Sequence, residues 1–223
     1  MTLELGHLID EQVNRRILAI QVWFRERPFQ GLKDVIVAYS SITLFYDPVE
    51  MGQAGWPNGV YRHVWQLLEE AWAGTEEDNM LSSPGREPIR IPVCYGGVFG
   101  PDLEGVGNGL SMSPEDVITM HYSTIYRVYM IGFLPGFPYL GRIDTRLEMG
   151  RKPRPMPVMA GGVGIAGNQT GVYPVNSPGG WHIIGRTPVR LFNPEKEPPV
   201  KLGIGDMVQF YPVSREEFER FVS

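Results

Sequence analysis

Residues 126–141 read YRVYMIGFLPGFPYLG. The first half, to Phe133, has the β-branched and aromatic composition of a strand. It runs into Pro135-Gly136, where proline presets φ at the first turn position and glycine accepts positive φ at the next, so a type II-like corner follows. Short β-type runs at 89–95, 162–166, 181–185, 189–192 and 207–211 are likewise separated by Gly/Pro turns, the rhythm of a barrel or a sandwich. Ser177-Pro178-Gly179-Gly180-Trp181 predicts a second tight corner of the same kind. One helix interrupts the series. Ser113-Pro114-Glu115-Asp116 supplies an N-cap serine, a proline at the first helical position and acids near the positive helix end, so a helix runs to about Tyr122 with His121 near its C-terminus.

Upstream the period changes. Over 8–27 the stripe Ile9, Val13, Ile17, Ile20 and Phe24 is that of an amphipathic helix, with Asp10, Glu11, Arg15 and Arg16 on the other face. Over 34–46 Val35, Val37 and Tyr39 alternate, then Ile42, Leu44 and Tyr46. Ser40-Ser41 shifts the parity, which predicts a bulge or a break between two strand pieces. Asp47-Pro48 reads as the closing turn. A second helix is expected at 61–72, with Val64, Leu67, Leu68 and Ala71 on one side. From 74 to 88 the periodicity disappears into Thr, Glu, Asp, Asn, Ser, Pro and Gly, a linker. The expectation is an α+β chain: a small N-terminal α/β domain with its linker at 1–88, and a β-rich domain at 89–223 that ends in a helix at 214–222 capped by Ser214.

Composition narrows the function. Of 223 residues, 20 are Lys or Arg and 25 Asp or Glu, a net charge of -5 that argues against a nucleic-acid grip. Hydrophobic residues at 43% and charged residues at 20% are those of a chain able to bury a core. A single cysteine, Cys94, excludes an intrachain disulfide and a cysteine-rich metal site. The N-terminus MTLELGHLIDEQVNRR lacks the pattern of a secretory signal, and the uncharged stretches at 128–141 and 156–169 fall short of the ~20 residues a span needs. A cytoplasmic protein without a membrane segment is expected. His7, His63, His121 and His182 show no metal-ligand spacing, so no metal is expected.

Gly162-x-Gly164-x-x-Gly167 satisfies the dinucleotide fingerprint by letter, but Asn168-Gln169-Thr170-Gly171 and Tyr173-Pro174 follow where a helix must begin, so context rejects it. No P-loop is present. Asn168-Gln169-Thr170 is an incidental glycosylation sequon without a secretion signal. Ser177 lacks the preceding glycine of a nucleophile elbow. The two Pro-Gly-aromatic blocks admit two readings. Either they are barrel corners whose aromatics plug the ends, or their glycines admit a ligand to the backbone amides while the aromatics shape a pocket.

The blocks RVYMIGFLPGFPYLG (127–141), GIAGNQTGVYP (164–174), SPGGW (177–181) and IGRTP (184–188), in this order, resemble the KipI/PxpB family, also called allophanate hydrolase subunit 1 or the B subunit of 5-oxoprolinase. Residues 34–48, DVIVAYSSITLFYDP, resemble the family's stretch after its first helix. The resemblance implies an N-terminal α/β domain and a C-terminal cyclophilin-like β-barrel. It implies a subunit of an ATP-dependent 5-oxoprolinase that opens 5-oxo-L-proline to L-glutamate, inactive alone. PxpC-like (KipA, allophanate hydrolase subunit 2) and PxpA-like (LamB/YcsF) subunits would be the partners, with ATP held wholly or partly by them. Members of the family also include an inhibitor of a histidine kinase, and related domains serve in urea carboxylase.

Carried onto this chain, the resemblance and the chemistry of lactam opening single out His121, Arg154 and Arg186 as catalytic and Tyr139, Gln169, Tyr173, Gly179, Gly180 and Trp181 as substrate-binding. Arg154, Arg186 and the amides of Gly179-Gly180 would stabilise charge on the amide oxygen. His121 would carry a proton or, alternatively, balance its helix dipole. The arginines could instead pair with acids such as Asp144 or Asp206. Met159 and Gly162 stand where the family has proline and serine, which removes one hydroxyl from the loop.

Overall fold

A computed structural model describes residues 1–6, 9–52, 59–75 and 87–222, and the chain divides into two units, Met1–Pro84 and Gly85–Ser223. In the first unit, strand β1 (Thr2–Glu4) is followed by helix α1 (Glu11–Glu26), strands β2 (Leu32–Val37) and β3 (Ser41–Tyr46), and helices α2 (Pro48–Gly52) and α3 (Val60–Gly74). Asp10 caps α1 by accepting the Val13 amide at 3.0 Å, and the predicted stripe buries Ile17, Ile20 and Phe24. The sheet order is β1-β3-β2, antiparallel. The parity shift at Ser40-Ser41 is a break: the chain reverses there, pairing Val37 with Ile42. Asn14, buried in α1, donates to the carbonyls of Ala38 and Tyr39 in that reversal. Asp47-Pro48 is not a closing turn but a helix start. The Asp47 carboxylate accepts the amides of Val49 and Glu50 at 2.8 and 3.2 Å, and proline occupies the first helical position, where no amide is needed. Most of the expected linker at 74–88 lies outside the described residues.

The second unit is a closed barrel. Its elements are β4 (Ile89–Tyr95), α4 (Leu103–Leu110), α5 (Pro114–Ser123), β5 (Ile125–Ile131), β6 (Pro138–Gly141), β7 (Met156–Val158), β8 (Gly162–Ala166), β9 (Gln169–Val172), β10 (Ser177–Gly179), β11 (His182–Arg186), β12 (Met207–Pro212) and α6 (Arg215–Val222). Seven strands close in the order β11-β4-β12-β5-β6-β9-β8, while β7 and β10 form a separate pair. Only β4 and β12 run parallel among the barrel neighbours. Val93, Val128, Leu140, Ile165, Ile184 and Phe210 share one core cluster with Leu103 and Val106 of α4 and Val117 of α5, so the helices seal the interior.

Three sequence expectations change here. Ser177-Pro178-Gly179 is extended, pairing with Val158, Pro157 and Met156, so the second Pro-Gly block is a strand rather than a corner. Residues 189–192 form no strand among the described elements; the Thr187 hydroxyl accepts the Val189 amide at 3.1 Å and bends the chain away, leaving one bridge from Phe192 to Val200. Two helices, not one, interrupt the strands. The first, LEGVGNGL, is hidden in the sequence by its glycines; Gly107 is needed because a Cβ there would stand 2.8 Å from the Met112 carbonyl oxygen. The expected caps of α5 by Ser113 and α6 by Ser214 are present, at 3.1 and 3.2 Å.

The strand faces explain the fingerprint-like glycines. Val163 and Ile165 point inward, and Gly162 and Gly164 point outward, where a side-chain layer presses on the sheet. A Cβ on Gly164 would lie 3.2 Å from Trp181 Cβ, and one on Gly171 would lie 3.0 Å from Phe137 Cζ. Gly167, with φ of 57°, turns the β8–β9 hairpin. GxGxxG is thus the sequence of a hairpin under an aromatic cover, and no helix follows it.

His121, expected near the end of α5 as a proton carrier or a partner of the helix dipole, is placed differently from that expectation. It has 0% exposure, and its ring stacks on Phe210 at 4.8 Å. The Thr170 hydroxyl donates its one proton to the Gly164 carbonyl at 3.0 Å, so at 2.8 Å it accepts from His121 Nε2. Nδ1 is then the acceptor for the Tyr95 hydroxyl at 2.7 Å, while Tyr126 donates to the His121 carbonyl. Burial pushes the imidazole down from 6.5 to about 3, so it is neutral. It therefore offers no charge to the helix end, and neither ring nitrogen is left to shuttle a proton.

Two outcomes are expected. Between pH 6.5 and about 3 the unfolded chain protonates His121 and the fold does not, so this contribution to stability is full above pH 6.5 and is lost as pH falls. His121→Gln removes that slope, at most ~1.4 kcal/mol per pH unit, in denaturant titrations run across the window. Gly171→Ala is expected to destabilise by about 1–3 kcal/mol through overpacking against Phe137, read as a lower unfolding temperature at neutral pH.

Candidate functional site

The outer face of β6, β9, β8 and β11 carries an aromatic layer. Phe137 lies edge-on to Tyr173 at 5.1 Å and to Trp181 at 5.5 Å, and Tyr139 meets Trp181 at 5.8 Å. The corner that delivers Phe137 forms as the sequence requires: its amide bonds the Leu134 carbonyl at 3.0 Å, and Gly136 has φ of 78°. Tyr173 reaches across to β10. A Cβ on Gly179 would fall 2.2 Å from its hydroxyl oxygen, so only glycine admits the phenol. Burial raises the phenols of Tyr139 and Tyr173 above their usual range.

The structure brings Tyr139, Tyr173, Gly179, Gly180 and Trp181 together. Their exposure separates them into two tiers. Tyr173 at 1% and Trp181 at 4% are floor; Tyr139 and Gly180 are half-buried and reach the surface. Arg154 is exposed, two residues before Met156, which pairs with Gly179. Phe133, with φ of 71° and 63% exposed, stands at the rim against Phe137 and Tyr173.

The other predicted residues lie elsewhere. Arg186 is at the far end of β11; its Nε donates to the Ala160 carbonyl at 2.8 Å, and its guanidinium carbon lies 5.9 Å from the Phe218 ring. It does not pair with the suggested acids, since Asp144 binds Arg146 at 2.6 Å and Asp206 accepts the Gly203 amide at 2.7 Å. Gln169 opens β9 opposite Gly141, at the other end of that strand from Tyr173. His121 is inside the barrel, as described above.

Sequence reasoning passes over the loop before β7. There Lys152 pairs with Asp102 at 2.5 Å and bonds the Gly180 carbonyl through its amide at 2.8 Å. The cluster RKPR at 151–154 is the available signal, of which the sequence reading takes up only Arg154. Among the described residues no group of three or more His, Cys, Asp or Glu side chains could hold a metal, and no helix is long and apolar enough to cross a membrane. Two surface grooves, of about 320 Å³ beside Trp65 and Trp72 and about 400 Å³ beside Tyr211 and Phe221, contain none of the predicted site residues.

Residues 1–202 match the carboxyltransferase domain, subdomain C and D, family. The 5-oxoprolinase B subunit of Bacillus subtilis (strain 168) is 44% identical over 225 residues, covering 99% of this chain and 92% of that protein. Its namesake from Haemophilus influenzae is 40% identical over 194 residues, covering 85% of each. The crystal structure of TTHA0988 superposes with a TM-score of 0.79 at 35% identity; the match takes in 96% of this chain but spans only 40% of that one. The likeness read from the Pro-Gly-aromatic blocks is therefore membership: the chain belongs to the carboxyltransferase domain, subdomain C and D, family, alongside the 5-oxoprolinase B subunits of these two bacteria.

Proposed function

We propose that this chain is the B-type subunit of an ATP-dependent 5-oxoprolinase, a cytoplasmic complex that opens 5-oxo-L-proline to L-glutamate. The observation that carries the proposal is likeness along the whole chain to a protein of that name, together with an aromatic and cationic surface suited to a small lactam. In this reading the two units act as separate domains, and the barrel, of cyclophilin-like type, presents the site.

An unstrained five-membered amide resists hydrolysis, so the reaction couples to ATP: the amide oxygen takes the phosphoryl group with release of ADP, one water adds to the carbonyl carbon, the carbon–nitrogen bond breaks to leave an acyl phosphate, and a second water releases phosphate and glutamate. Negative charge must be stabilised on that oxygen. Arg154 and the Gly179-Gly180 amides would be the donors for it, over a floor of Tyr173 and Trp181 against which Tyr139 packs. Arg186, anchored to Ala160, and Gln169 stand outside this patch, so their contribution would be to neighbouring backbone. Nucleotide is assigned to PxpC-like and PxpA-like partners, because the glycine-rich segment of this chain is a β-hairpin under an aromatic layer.

One observation favours a second reading, a protein-docking module for a histidine kinase. Phe133, Met156 and Met159 are 63%, 52% and 57% exposed, an apolar rim of the kind that anchors an interface.

The test is 5-oxoproline-dependent ATP hydrolysis by this chain with both partner subunits, omitting each in turn. Loss of activity when this chain is absent is the expected result. A complex that assembles and stays silent defeats the substrate assignment, and a chain that joins no complex but is retained by an immobilised kinase moves the second reading ahead. In the active complex Arg154→Ala is expected to lower kcat by roughly 10²-fold, with its unfolding temperature unchanged.

A further inference from the structure

The segment GRKPR at 150–154 is pinned to the barrel wall. The Gly150 carbonyl accepts from His182 Nε2 at 2.8 Å. The Lys152 amide donates to the Gly180 carbonyl at 2.8 Å. The Lys152 ammonium meets the Asp102 carboxylate at 2.5 Å, and the same carboxylate oxygen accepts the Ile183 amide at 2.6 Å. Lys152 and Asp102 are only 15% and 24% exposed, so this ion pair is shielded from water and from salt more than a surface pair is. The backbone on both sides of residue 151 is fixed, and its neighbour's charge is already satisfied.

Arg151 stands between these anchors with its charge unspent. Among the described residues it forms no ion pair and no side-chain hydrogen bond, and its Cβ lies 3.9 Å from where a Cβ on Gly180 would be. Its field reaches both phenols of the aromatic layer: burial raises them, and Arg151 acts in the opposite direction, directly after burial for Tyr139 and behind the Trp181 backbone for Tyr173. An exposed arginine on a pinned backbone beside Gly180, lacking an acid, carries a planar fork of donors next to the aromatic layer. That is the geometry that grips a carboxylate through both oxygens.

We propose that Arg151 is the residue that binds the carboxylate of the substrate, so that the site takes cyclic amides bearing a carboxylate and rejects neutral ones. The inference rests on the function proposed above and names the part of the substrate that selects it. Arg151 holds the acid group at the loop side of Tyr139, and the lactam lies toward Gly180 and Arg154. Lys152 and Asp102 are positioning residues, since they set the loop and touch no substrate.

The experiment compares L-5-oxoproline with its neutral carboxamide, first as substrates of the assembled complex and then as ligands of this chain by ligand-observed NMR, with inorganic phosphate as a third probe. For the wild type the carboxylate form is expected to be preferred in both. Arg151→Gln is expected to raise KM for 5-oxoproline by about 10–100-fold, with kcat little changed and the preference over the carboxamide erased, and Arg151→Lys to restore part of it. An Arg151→Gln protein of unchanged unfolding temperature that keeps the preference overturns the proposal. So does a site that responds to phosphate and not to 5-oxoproline. Selective binding of 5-oxoproline by a complex that never turns it over leaves Arg151 standing and defeats the proposed function instead.

Discussion

A chain of neutral hydrogen bonds crosses the barrel interior: the Tyr95 hydroxyl to His121 Nδ1, His121 Nε2 to the Thr170 hydroxyl, and that hydroxyl to the Gly164 carbonyl. It ties β4, α5, β9 and β8 to one another at a buried point. Each such bond contributes about 1 kcal/mol net, but an orphaned partner in the same place costs about 1–3 kcal/mol, so the chain is worth more as a unit than as three parts. Its direction follows from proton counting alone. Thr170 has one proton and spends it on Gly164, which fixes the tautomer of His121 and makes Tyr95 a donor. Helix α5 can end inside a barrel only because its last turn finds these partners, including the Tyr126 hydroxyl on the His121 carbonyl.

The same strands serve the interior and the site at once. Inward positions of β8 and β9 carry Val163, Ile165 and Thr170; outward positions carry Gly162, Gly164 and Gly171. Bare outer positions let Phe137, Tyr173 and Trp181 lie against the sheet, and edge-to-face contacts then lock the rings to each other. The interior bonds and the exterior aromatics meet at Gly164, whose carbonyl closes the first and whose missing side chain admits the second. Barrel stability and site geometry are therefore coupled through backbone rather than through a catalytic side chain.

Elements with a clear period are legible in the sequence: the stripe that forms α1, the parity shift that forms a hairpin, the Ser113 cap and the Pro135-Gly136 corner. Reading fails where glycine and proline speak for packing instead of local conformation. Gly179 has the look of a turn residue, but it is a strand residue emptied for the Tyr173 hydroxyl. Glycines hide α4, and a Thr187 turn dissolves the strand expected at 189–192. Of the site, the residues adjacent in the two aromatic blocks are found together, because Phe137 and Tyr139 at β6 meet Trp181 beside β11 over the bare glycines of β9 and β8. His121 misleads because burial and hydrogen-bond partners are long-range facts, and Arg151 escapes notice because a lone arginine in a basic run differs from its neighbours only by what each has to pair with.

That difference in pairing gives the site its logic. Lys152 spends its charge inward on Asp102 and its amide on Gly180, fixing the loop; Arg151 and Arg154, one residue to either side of Lys152-Pro153, keep theirs for the outside. Beneath them Tyr173 and Trp181 are sealed, while Tyr139 and Phe133 reach solvent. Such a surface has a rigid floor and a cationic edge but an open roof. In the reaction proposed above the activated amide must meet its attacking water and be shielded from bulk solvent, which asks for that roof to be closed, and the exposed Phe133 at the rim is an apolar surface that a closing partner would cover.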